Sequence, residues 1–144
     1  MDYEAVPEAS RQDLIKASDR YRSGDLSGAL AAACAAVDSA CARVFEEKKL
    51  GDPTKVPSFQ QKVITSLRAN GAFQRLESEL IGIGWNSEDA HRLAQNLEGS
   101  LNQAAYVMQT LRSKMSDAHG SKAVLEPVVF DSLKWAAIIA EQLR

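Results

Sequence analysis

An arginine and a histidine stand seven positions apart in the run Leu111-Arg112-Ser113-Lys114-Met115-Ser116-Asp117-Ala118-His119-Gly120. Seven residues at 100° each return a helix to within about 20° of its starting face, two turns along, so both side chains share a side if the helix persists. If it ends near Ser116, the turn swings the imidazole nearer. Imidazole titrates near neutrality and can give or take a proton. Guanidinium stays charged and offers a planar fork to phosphate oxygens. Together they form a minimal set for cleaving RNA without a metal. A base takes the 2′-hydroxyl proton, the oxygen attacks the adjacent phosphate, and a fixed cation balances the charge that develops there. Arg112 adjoins the core residue Leu111, which places it at the boundary between core and solvent. Ser113, Lys114 and Lys122 add polar and positive groups for a substrate. The plain alternative is a helix C-terminus decorated with cations that suit its dipole.

Other chemistries lack their signatures. The two histidines (His91, His119) and two cysteines (Cys34, Cys41) never approach zinc-ligand spacing, and no metal or cofactor is expected. Neither a Walker loop, a Gly-x-Gly-x-x-Gly turn nor a local Ser-His-Asp or Cys-His nucleophile arrangement occurs. The carboxylate pairs Glu46-Glu47 and Glu77/Glu79 read as solvated helix faces. A formal charge of −2 excludes a binder that grips nucleic acid by a strong net positive field, though not a small basic site on a neutral body. At 6% aromatic residues, stacking platforms for single strands are not expected.

The elements that must position Arg112 and His119 are all helices. The chain has 144 residues, one domain's length, and 45% of them are hydrophobic. No stretch alternates with period two. A first helix is predicted from Pro7 to Arg22, with Leu14, Ala17, Ser18 and Tyr21 on one face. Asp25 then caps a second helix from Leu26 to about Lys49. That helix is small and apolar nearly all round, which predicts a central position, and Asp38 is the only charge between Leu26 and Ala42. Asp38 reads either as part of a partly exposed turn or as a hydrogen-bonding partner for a neighbouring helix. Cys34 and Cys41 lie about 10 Å apart on a helix, beyond disulfide reach, and read as buried reduced thiols suited to a cytoplasmic setting.

A third helix starts near Pro57 or Ser58 with Phe59, Val63, Ile64 and Leu67. Asn70-Gly71 breaks it, and a short helix with Phe73, Leu76 and Leu80 follows. Ser87 opens a long helix whose predicted core stripe is Leu93, Leu97, Leu101, Ala104, Met108, Leu111 and Met115. The last helix begins at Pro127 and turns Val129, Leu133, Ala136, Ala137, Ala140 and Leu143 inward. Its off-stripe Phe130, Trp135 and Ile138 are a candidate dimer contact. The acidic start Met1-Asp2-Tyr3-Glu4 is unlike a signal peptide, and no apolar run is read as long enough to span a bilayer.

The stretch Leu111-Arg112 through Asp117-Ala118-His119-Gly120, followed by an apolar helix to Leu143, resembles the C-terminal signature of the abortive-infection C-terminal (Abi-C) family of the HEPN superfamily. The superfamily motif is an arginine, four to six residues and a histidine, and here six intervene. The likeness is good over Leu101–Leu143 and looser over Arg20–Lys49; Gly51–Glu88 is not aligned.

The resemblance implies an all-α, four- to five-helix HEPN-like bundle over residues 1–144. It also implies a homodimer in which two Arg-His motifs face one cleft, and metal-independent endoribonuclease activity in phage defence or growth arrest by a toxin. Carried over, Arg112 would stabilise the scissile phosphate, His119 would serve as general base or acid, and Asp38 would be an accessory acid orienting either. Partners would be RNA, a second copy, and an antitoxin or defence-system protein, with no membrane. Two departures stand out: Ser113 where active members usually carry Asn or Asp, and Ser121 where a modifiable tyrosine would follow the histidine. The alternative is a catalytically silent HEPN module that binds a protein or nucleotide as a sensor or scaffold.

Overall fold

Helix boundaries fall where the capping chemistry puts them. A computed structural model describes residues 4–115 and 125–144, and within these the chain forms α1 (Glu8–Arg22), α2 (Leu26–Glu47), α3 (Phe59–Ala69), α4 (Ala72–Gly82), α5 (Ser87–Met115) and α6 (Glu126–Gln142). A 3₁₀ turn at Pro53–Lys55 follows α2, and the described residues contain no strand. The Asp25 carboxylate accepts from the Gly28 N–H at 2.9 Å and starts α2. Ser58 Oγ accepts from the Gln61 N–H at 3.1 Å and starts α3. Gly71, at φ +71°, makes the left-handed step that separates α3 from α4. Before α5 the cap is Asn86 rather than Ser87: its Oδ1 accepts from the Asp89 N–H at 2.8 Å.

The second helix is the axis of the bundle, with α1, α3, α5 and α6 all packed against it. Ala29, Ala33, Cys34, Ala36, Val37, Cys41 and Val44 are wholly buried. Their small side chains let neighbouring backbones approach closely. On one side, Ser10 Oγ of α1 donates to the Ala36 carbonyl at 2.7 Å inside the core. Both cysteines are free and buried, as expected. One sequence expectation is corrected here. The second helix does have the length and hydropathy of a membrane-crossing segment, because its few polar residues are diluted by alanine. Its apolar surface is instead covered by the surrounding helices.

The fifth helix runs 29 residues, roughly 43 Å at 1.5 Å per residue. Leu101, Ala104, Met108 and Met115 are buried as the stripe predicts, but Leu93 is exposed. Ala90 and Ala94 take the inward positions at that end, where α4 is the principal neighbour. All six predicted inward residues of α6 are buried, and Ile139 joins them. The carbonyls at the end of α6 accept from side chains of two other helices and a turn: Arg43 to Leu143, and Asn70 and Arg75 to Gln142. Phe130 and Ile138 remain exposed on its outer side, where Phe130 meets Tyr21 with ring centroids 5.2 Å apart.

Candidate functional site

Three helices bring one charged side chain each to a single point. Asp38 leaves the middle of α2, Lys62 the first turns of α3, and Arg112 the last turn of α5. Arg112 Nη1 donates to Asp38 Oδ2 at 3.1 Å, and Lys62 Nζ donates to Asp38 Oδ1 at 2.7 Å. The guanidinium carbon also lies 4.9 Å from the centre of the Phe59 ring, within cation–π range. Asp38 therefore bonds neighbouring helices on both of its oxygens. Arg112 sits at the boundary between core and solvent, with 38% of its side chain exposed.

The local sequence explains the convergence. Phe59, Val63 and Leu67 bury one face of α3, and Lys62 lies on its edge. The start of α3 is tied directly to α5. The Gln60 N–H donates to Gln109 Oε1 at 2.9 Å, and Gln60 Nε2 donates to the Asn102 carbonyl at 3.3 Å. Gln109 precedes Arg112 by three residues, so this tie is one helical turn from the guanidinium.

Below the charges the floor is apolar. Burial pushes the Cys34 thiol up to about 12, with the Arg112 charge opposing and the Asp38 charge assisting. Burial likewise pushes Cys41 up to about 11, opposed first by a hydrogen bond with Ser66. Both thiols are thus held protonated, and neither is set up as a nucleophile.

Of the residues expected at the site from sequence, Asp38 and Arg112 come together. Ser113 and Lys114 are exposed on the last turn of α5. His119 and Lys122 lie outside the described residues. Lys62, which bonds Asp38, and Phe59, which meets Arg112, were not anticipated at the site. Position 62 lies at the edge of the covered side of α3, where a lysine is ordinarily solvated, so the spacing by itself does not single it out. Among the described residues no group of three or more His, Cys, Asp or Glu is arranged to hold a metal ion. His91 pairs instead with Glu77 at 3.1 Å. The surface clefts lined by Arg75, Glu79 and Arg144, and by Arg68, Glu98 and Asn102, contain no member of the Asp38 cluster.

Together, the apolar floor, the shared carboxylate and the ring hold a permanent cation at the surface in a defined orientation. Such a group can bind a phosphate oxygen or offset charge developing on one. The family model for Abi_C, described as a HEPN-like domain, matches residues 8–129, a span that includes the whole cluster. No curated protein and no solved structure matches the chain.

Proposed function

The chain belongs to the Abi_C family of HEPN-like domains, and from that premise we propose that it is a metal-independent endoribonuclease acting as a homodimer in phage defence or growth arrest. The observation that carries this reading is the 3.1 Å contact between Arg112 and Asp38. It joins the arginine of the Arg-x6-His motif to the accessory carboxylate across 74 positions of sequence. Asp38 orients the guanidinium toward the scissile phosphate. His119, or its counterpart in the second copy, takes the proton from the 2′-hydroxyl. The 2′-oxygen then bonds to phosphorus, the bond to the 5′-oxygen breaks, and that oxygen leaves with the proton that the imidazolium gives back. The products are a 2′,3′-cyclic phosphate and a 5′-hydroxyl. Arg112 offsets the charge on the equatorial phosphate oxygens as they become more negative. Ser113, Lys114 and Lys122 contact the flanking RNA. An antitoxin or defence-system protein restrains the activity.

The test is incubation of purified protein with total RNA in excess EDTA, beside Arg112→Ala and His119→Ala variants. Wild type is expected to cut, and each variant to lose about 10²–10⁴ of the rate. Equal cutting by all three identifies a contaminating nuclease and refutes the reading. No cutting by any of them favours the silent HEPN module that binds a protein or nucleotide. Sedimentation at micromolar protein is expected to give twice 15.7 kDa, and a monomer counts against a shared cleft.

A further inference from the structure

Lys62 is placed unlike an ordinary surface lysine. The four-carbon stem normally carries the ammonium out to water, yet only 17% of this side chain is exposed and the ammonium turns to Asp38 Oδ1. Its neighbours on the same face of α3, Val63 and Ser66, are wholly covered. The Asp38 carboxylate is thereby divided between two cations, one oxygen to each. Without Lys62 both oxygens of the carboxylate can turn to the guanidinium fork, which draws the guanidinium into a different orientation.

Resting on the ribonuclease reading, we propose that Lys62 is a positioning residue for that reaction: by holding one oxygen of Asp38, it keeps Arg112 oriented for the scissile phosphate. Lys62 itself acts through Asp38 and not on the RNA. Phe59, from the turn of α3 just before it, limits the guanidinium on its ring side. The third helix is then the part of the fold that sets the direction of the arginine, although it carries no residue of the Arg-x6-His motif.

The test uses Lys62→Met and Lys62→Arg, alone and with Asp38→Asn, assayed on total RNA in EDTA. Lys62→Met is expected to lower kcat by about 10- to 100-fold, the scale of a misplaced reacting group. KM should move little, because flanking phosphates still bind. Lys62→Arg, which reaches the same oxygen, should retain most of the rate. In the Asp38→Asn background, Lys62→Met should add little. A full additional loss there would mean that Lys62 touches the RNA itself and would overturn the proposal.

A second readout needs no turnover. The Arg112 Nε–Hε resonance, identified by its loss in Arg112→Lys, should shift in Lys62→Met and return in Lys62→Arg. A resonance that does not respond to Lys62 overturns the proposal. If wild type fails to cut RNA while the resonance responds as described, the ribonuclease reading falls and the control of Arg112 by Lys62 stands.

Discussion

Replacing Asp38 with alanine removes a carboxylate that faces Lys62 Nζ at 2.7 Å and Arg112 Nη1 at 3.1 Å. The two pairs differ in weight. Arg112 and Asp38 expose 38% and 34% of their side chains, so solvent screens that pair to about 0.5–1 kcal/mol. Lys62 is the better covered partner, and its charge-assisted bond contributes about 1–2 kcal/mol. The two cations left behind stand roughly 8 Å apart at most, a repulsion between about 0.5 kcal/mol in water and about 2 kcal/mol at an effective dielectric of 20.

Asp38→Ala should therefore lower stability by about 2–3 kcal/mol, which for a chain of this size lowers Tm by roughly 7–10 °C. In a Lys62→Met background the same substitution should cost only about 1 kcal/mol, because one cation fewer faces the vacated position. Urea unfolding followed by far-UV circular dichroism on the four proteins gives the coupling directly, expected at about 1–2 kcal/mol. Raising salt should weaken the Arg112 share more than the Lys62 share. If Asp38→Ala costs the same with and without Lys62, the shared carboxylate is not what joins α2, α3 and α5, and the reasoning fails.

Two further outcomes follow from the interior. Because burial holds Cys34 at about 12 and Cys41 at about 11 against an ordinary 9.0, the folded chain keeps protons that the unfolded chain releases. Their contribution is intact below pH 9 and is lost as pH rises toward the folded values, by up to about 1.4 kcal/mol per pH unit for each thiol. Urea midpoints from pH 8 to 10 should fall more steeply for wild type than for a Cys34→Ala, Cys41→Ala variant, and equal slopes would contradict this. Ala33→Leu inserts a branched side chain where α2 has no exposed surface and should cost about 1–3 kcal/mol. A melting temperature equal to wild type would show that the packing around α2 yields.

The helices were legible in the sequence because their punctuation is local: Asp25, Ser58 and the Asn70-Gly71 break each act within four residues. The central position of α2 was legible because a helix without a polar face has to be surrounded. Asp38 invited a partner for the same reason, and Arg112 could be named from its neighbour Leu111 and its motif. Lys62 could not, because its partner is 24 residues away and a lysine on a helix edge is normally solvated. Only the crossing of α3 over α2 turns it inward. The expected burial of Leu93 failed for a related reason. Periodicity gives the direction of a stripe but not where the neighbouring helix begins to cover it, and Ala90 and Ala94 hold that contact instead.

The 74 positions between Asp38 and Arg112 also set an order of assembly. A chain grows from its N-terminus, and structure that depends only on early residues can form first. Asp38 and Lys62 emerge well before Arg112, so the arginine can meet its carboxylate only when most of the polypeptide has been made. Truncated translation products that stop short of α5 would carry the acceptor without the guanidinium.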